Sequence, residues 1–169
     1  MSQPIAGVSP SELLEVSCKV VWPTIGALRA GRFVGQLSGL RLGFGIFTVG
    51  NLLALATIPL SLVVFCWQLM PFVCRRYALT NRRIIVRKGL SAVDGPWISL
   101  DDFDAIKVDV LPGQAWLHAG DLVFLHHEHE VLRLAGVPRP ETFRQVCLTA
   151  HTAHQSVRAV VERQASSAA

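Results

Sequence analysis

From Leu42 to Cys74 the chain runs 33 residues without a charged side chain, then meets Arg75, Arg76, Arg82, Arg83, Arg87 and Lys88 in quick succession. An apolar run longer than about 18 residues reads as a membrane span. A dense basic flank on one side marks the cytoplasmic end of such a span. The sequence therefore predicts an anchored protein, with the residues after Cys74 forming a domain beneath a bilayer.

The run is longer than one span and shorter than two. As a single helix it would extend about 50 Å, against about 30 Å of hydrocarbon, whereas two full spans need about 40 residues. Two arrangements satisfy this: a tilted or kinked helix over about residues 45–71, or a re-entrant hairpin bent at Thr57-Ile58-Pro59. Pro59 and Pro71 are the candidate kinks, with Gly50-Asn51 a polar soft point. Trp67 and Gln68 suit the interface at the inner end. Asn51, the one strongly polar side chain deep in the run, either hydrogen-bonds to a partner helix or is tolerated there unpaired.

Upstream, Ser9-Pro10-Ser11-Glu12 reads as a capped helix start, continued by Leu13, Leu14, Val16, Val20 and Val21 as far as Pro23. Residues 24–41 mix Gly26, Gly31, Gly35 and Gly39 with Arg29, Arg32 and Arg41. Three arginines make this a poor span. It is either an interfacial helix whose arginines snorkel and whose glycines admit close helix contacts, or a loosely ordered linker. No charged start and small-residue cleavage site precede the apolar run, so no removable signal is expected.

Formal charge is +4, with four basic and two acidic residues before Arg75 and twelve and ten from there on. The excess sits in residues 75–88 and hugs the predicted membrane exit. A nucleic-acid surface would spread a basic stripe among aromatics, so nucleic acid is excluded as a partner and lipid headgroups are favoured. Cys18, Cys66, Cys74 and Cys147 have no metal-ligand spacing and read as reduced structural thiols.

After Cys74 the period changes from helix to strand. Tyr77–Thr80 and Arg83–Arg87 flank a turn at Asn81-Arg82, and Gly89 closes the second run. Asp94-Gly95-Pro96 reads as another turn before Trp97–Leu100. Phe103, Ile106, Val108 and Val110 follow as far as Pro112-Gly113; then come Leu122–Leu125, a polar tip, and Val131–Leu134. Beyond Pro138 and Pro140, apolar residues from Phe143 through Val146, Cys147, Ala150 and Val157 recur at steps of three and four. The predicted fold is a split β-barrel of about seven antiparallel strands, with the terminal helix plugging one open end. The predicted organisation is residues 1–41 helical or interfacial, 42–74 transmembrane, 75–165 the domain and 166–169 a disordered tail.

The series Tyr77–Gly89, then Ile98-Ser99-Leu100, Ile106-Lys107-Val108, Gly120-Asp121-Leu122 and Leu134–Pro138 leading into a helix, resembles bacterial pleckstrin-homology-like (PH-like) domains of the YdbS/YdbT type. The resemblance covers residues 75 to about 155 and implies a PH-like domain with membrane helices just before its first strand. Two departures stand: that family often has two membrane helices here, and a polar cap where this chain has Arg139.

The sequence has no HExxH, GxSxG, P-loop or GxGxxG, and no enzyme or cofactor is predicted. His126-His127-Glu128-His129-Glu130 reads as a solvated hairpin tip; as metal ligands, His127 and His129 share a face and need His118 from elsewhere. His151 and His154 read as surface residues of the helix, and Asp101, Asp102 and Asp104 as a turn. The basic residues Arg75, Arg76, Arg82, Arg83, Arg87 and Lys88 are the predicted headgroup-facing set, either binding anionic lipid or only setting orientation. The expected function is a membrane-tethered binding module at the cytoplasmic face of the inner membrane. It would engage anionic headgroups or a membrane protein, the latter through Asn51 and the glycine-rich segment. The alternative is a structural subunit of a larger membrane complex.

Overall fold

The structure, a computed structural model, describes residues 15–39, 43–44, 47–70, 74–89 and 91–167. Its frame is built on the Asn81-Arg82 turn. The Thr80 hydroxyl donates to the Arg83 carbonyl at 2.7 Å and accepts from the Arg82 and Arg83 N–H groups. That small knot closes the hairpin of β4 (Arg75–Thr80) and β5 (Arg83–Lys88), whose apolar residues alternate as strands require. Gly89, with φ of 72°, ends β5 as expected.

Asp94-Gly95-Pro96 lies inside β6 (Val93–Ser99) and is not a turn; the reversal is made earlier, around Gly89 and Ala92. The ladder to β5 shifts register between Ile85 and Arg87, and such an irregularity accommodates a proline that cannot donate. β7 (Ala105–Asp109), β8 (Ala119–His126) and β9 (His129–Pro138) form a second antiparallel sheet. Tyr77, Leu79, Ile84 and Ile98 from the first sheet share one core with Ile106, Leu122, Phe124 and Leu134 from the second.

A helix was expected to run on to Pro23, but Ser17–Val21 form a strand, β1, pairing with β4 from Ser17↔Thr80 to Val21↔Tyr77. β-branched Val20 and Val21 suit a strand as well as a helix face, and the open edge of β4 decides between them. The proposed helix start at Ser9 lies outside the described residues. The first sheet is therefore β1-β4-β5-β6, and the two sheets hold seven strands, close to the number predicted. They remain separate sheets and do not close into a barrel.

A 3-10 turn, Ile25–Ala27, leads into α1 (Arg29–Ser38), which lies against the domain's own Leu111–Leu117 loop. Gly35 and Gly113 meet backbone to backbone, and a Cβ on either would collide with the other chain segment. The glycines at these two positions thus serve contacts within the chain. A two-residue ladder, β2 (Gly43–Phe44) with β3 (Phe47–Thr48), precedes α2 (Val49–Ala56) and α3 (Ile58–Leu69).

The predicted transmembrane helix over residues 45–71 is not found. Among the described residues, no helix is long and apolar enough to cross a membrane. The apolar path breaks at Thr57, where ψ is 1°, because Pro59 offers no N–H to the preceding turn. Hydrogen bonds from Thr57 to Leu53 and from Ser61 to Thr57 carry the chain through the break. Pro71 lies outside the described residues, as does the Asn51 side chain.

The terminal helix α4 (Pro140–Ser167) runs two residues into the predicted tail. It packs on β7 and β8 through Phe143, Cys147 and Ala150, covering an end of the shared core. Its second half leaves the core, and Val160 is exposed.

Candidate functional site

The six basic residues of the first hairpin divide by their surroundings. Arg83 and Arg87 point to the outer face of the first sheet. Arg83 makes a two-pronged bond to Glu15 at 2.7 and 2.8 Å, lies 3.5 Å from Asp94, and stacks 5.3 Å from the Trp97 ring. Arg87 donates to Asp94 at 3.0 Å and to Ser17 at 3.3 Å. The Arg83 hydrogen bond holds the Glu15 carboxyl below the usual carboxylate range. Both arginines are thus ion-paired within the chain, a pairing that needs β1's approach and is invisible in the local sequence. Arg82 is half-buried in the turn, where its carbonyl accepts from the Leu100 N–H.

Arg75 and Lys88 face each other across β4 and β5 and are exposed. Arg76 lies 5.3 Å over the Trp22 ring and donates to the Gly89 carbonyl at 3.2 Å. These three occupy the end of the sheet from which α3 departs. A cavity of about 270 Å³ opens there, lined by Pro23, Ala27, Leu28, Arg29, Gln68 and Arg75. Gln68 fixes its floor: Nε2 donates to the Pro23 and Thr24 carbonyls at 2.7 and 3.2 Å, and Oε1 is buried with no donor among the described residues. The first turn of α1, beside Arg29, carries no acidic residue and no side-chain cap. The N-terminal end of the helix dipole adds partial positive charge beside the two guanidinium groups. Arg29, assigned from sequence only to an interfacial segment, is the lining residue the sequence reading missed. No local pattern links it to Arg75.

Directly above this cationic end stands α2–α3. Leu52, Leu55, Leu60, Leu62, Val63 and Phe65 are all exposed, and Val64 is the buried residue of α3. Ala54, Thr57, Ser61, Val64 and Gln68 mark a part-buried stripe against α1 and the 3-10 turn, and the exposed side beyond it is apolar.

The three histidines weighed as metal ligands, His118, His127 and His129, are not brought together among the described residues. His118 lies in the turn before β8, with φ of 49°, and its carbonyl accepts from the Arg139 N–H. His129 opens β9, opposite His126. Among the described residues, the His, Cys, Asp and Glu groups that converge are Asp104, His126 and His127. The acidic trio also separates. Asp101 accepts from His154 and Arg158 of α4, each at 3.3 Å, while Asp104 turns toward the β8–β9 hairpin and Asp102 is exposed.

Two antiparallel sheets, a C-terminal helix over their shared core and an apolar insertion between the first strand and the main hairpin agree with one comparison. A model of the bacterial PH domain matches residues 29–151. The chain belongs to the bacterial PH domain family. The match begins at α1, so the bacterial PH domain takes in the apolar helices that sequence reasoning had placed before it. No curated protein and no solved structure matches the chain. PH domains generally mediate protein or lipid binding and are typically not catalysts.

Proposed function

We propose that this bacterial PH domain is a membrane-tethered binding module. In this reading α2–α3 embeds in the bilayer, and the Arg29–Arg75 cavity at its foot receives an anionic headgroup on the cytoplasmic side. The carrying observation is the broad apolar surface that α2–α3 leaves exposed outside the stripe packed on α1 and the 3-10 turn. A protein groove would cover one further stripe of such a helix, whereas Leu52, Leu55, Leu60, Leu62, Val63 and Phe65 leave a wider apolar surface that calls for lipid. The boundary is marked as a bilayer interface would mark it, with Trp67 near the end of α3 and Arg75 and Arg76 just beyond. The resemblance to the YdbS/YdbT type, with membrane helices beside the first strand of the main hairpin, supports the same arrangement. Since Arg83 and Arg87 are ion-paired, the headgroup role falls to Arg75 together with Arg29, with Lys88 adding long-range attraction.

The test is extraction and lipid retention of the full chain. It should stay with the membrane pellet through high salt and alkaline carbonate, and leave only in detergent. Purified in mild detergent, it should retain anionic over zwitterionic phospholipid by mass spectrometry, and Arg29→Glu with Arg75→Glu should abolish that preference. Recovery in the soluble fraction overturns the tether. Equal retention of both lipid classes overturns the headgroup cavity and leaves a membrane protein as the partner to seek.

A further inference from the structure

The tip of the β8–β9 hairpin is built in a way that the membrane reading does not use. Its loop has two residues, His127 and Glu128, closed by the His126↔His129 pair. Both loop residues are left-handed, with φ of 47° and 65°. Such a turn ordinarily takes Asn-Gly, because a side chain strains that conformation. Strain held in an exposed turn, where Asn-Gly would serve the hairpin better, points to a use for the side chains it positions.

The strained turn brings three metal-ligating groups together. The Asp104 carboxylate, from the segment before β7, accepts the His127 N–H at 2.9 Å. His126 Nδ1 lies 3.4 Å from Asp104 Oδ2 but is not hydrogen-bonded to it, and that nitrogen is buried with no partner among the described residues. The His127 ring stands edge-on to that of His126, with centroids 4.2 Å apart. One ligand atom from each of the three residues falls within 4.8 Å of the others. In a tetrahedral site with bonds of about 2.1 Å, ligand atoms lie about 3.4 Å apart. The His126–Asp104 pair already has that separation, and His127 reaches it by rotating its exposed ring.

We propose that Asp104, His126 and His127 form a binding site for a divalent transition metal of the zinc class. Two imidazoles and one carboxylate select zinc and its borderline neighbours over magnesium or calcium, which prefer all-oxygen sets. Three protein ligands on an exposed turn leave a fourth position open to water or to a ligand from another molecule.

The full chain in detergent, freed of metal, is titrated with Zn²⁺ and, as a spectroscopic probe, Co²⁺. One Zn²⁺ should bind per chain, Co²⁺ should give the visible absorption of a tetrahedral site, and Zn²⁺ should raise the melting midpoint. His126→Ala should weaken binding by more than about tenfold. Asp104→Asn should do the same while keeping an acceptor for the His127 N–H, so its metal-free melting midpoint reports intact folding. His118→Ala, remote from the site, should change nothing. Absence of saturable one-to-one binding in the unaltered chain overturns the proposal. So does binding that His126→Ala and Asp104→Asn both leave unchanged.

Discussion

Asp121 ties the N-terminal segment to the second sheet, and its removal gives a sharp test of the packing. The residue is 4 % exposed. Its Oδ1 accepts from Gln114 Nε2 at 2.7 Å and from the Gly136 N–H at 2.9 Å, and Oδ2 lies 3.4 Å from Arg133 Nη1. Gln114 in turn donates to the Gly26 carbonyl at 3.1 Å and accepts from the Leu111 N–H at 2.9 Å. Asp121→Ala strands the Gly136 N–H in the interior and takes one of two acceptors from Gln114. A hydrogen bond to a charged group is worth about 1.5–3 kcal/mol, so losing two costs about 3–6 kcal/mol. Arg133 loses little, because it keeps Glu130 at 2.9 Å and Asp109 at 3.2 Å in partly exposed surroundings. Asp121→Asn retains the Oδ1 acceptor and loses the charge and the long Oδ2 contact to Arg133, a cost of about 1–2 kcal/mol. In a chain of this size each kcal/mol moves the melting midpoint by roughly 2–4 °C. The melting midpoint of the full chain in detergent should therefore fall by about 6–24 °C for Asp121→Ala and about 2–8 °C for Asp121→Asn. Equal shifts for the two, or a loss below about 3 °C for the alanine, would refute the assignment of Asp121 as the joint.

Gly35→Ala should destabilise the chain by about 1–3 kcal/mol, because its Cβ would meet the Gly113 carbonyl, whereas Gly39→Ala, with its nearest neighbour at 3.2 Å, should cost less than half as much by melting midpoint. Acid should weaken the docking of β1. The Glu15 carboxyl titrates below its ordinary 4.5 in the folded chain, so the stability it adds is complete above that pH and is lost as pH falls through the lowered folded value. Solvent limits the effect to about 1 kcal/mol, and Glu15→Gln should remove that part of the pH dependence in unfolding curves taken from pH 6 downward. Burial pushes the Cys147 thiol up to about 12, so it should resist maleimide until the domain unfolds. Cys66, exposed on α3, should stay unlabelled by a charged maleimide in intact vesicles and label once the chain is in denaturant; ready labelling in intact vesicles would count against embedding.

The elements after Cys74 were legible because their signals are local. Asn81-Arg82 between two short strand-like runs, Pro112-Gly113, the polar tip at residues 126–130 and the three- and four-residue steps after Pro140 each depend on neighbours a few positions away. The break at Pro59 was legible for the same reason, since a missing N–H interrupts a helix wherever it stands. The reading went astray where local signals are ambiguous. Val20 and Val21 fit a helix face or a strand, and Asp94-Gly95-Pro96 is turn chemistry placed in a bulged strand.

By itself, then, the sequence determined the apolar run, its basic flank, the hairpins of the two sheets and the terminal helix, all of them consequences of periodicity and turn residues. Only the tertiary structure decided how the distant parts combine. Residues 17–21 became the edge of the first sheet because β4, some sixty positions away, has an open edge to fill. That same approach brought Glu15 to Arg83 and gave this basic residue an ion-pair partner within the chain. Arg29 reached Arg75, and Asp104 reached His126, across gaps that carry no periodic signal. Electrostatic partners and ligand sets depend on distances in space, and those exist only once the core has placed the strands.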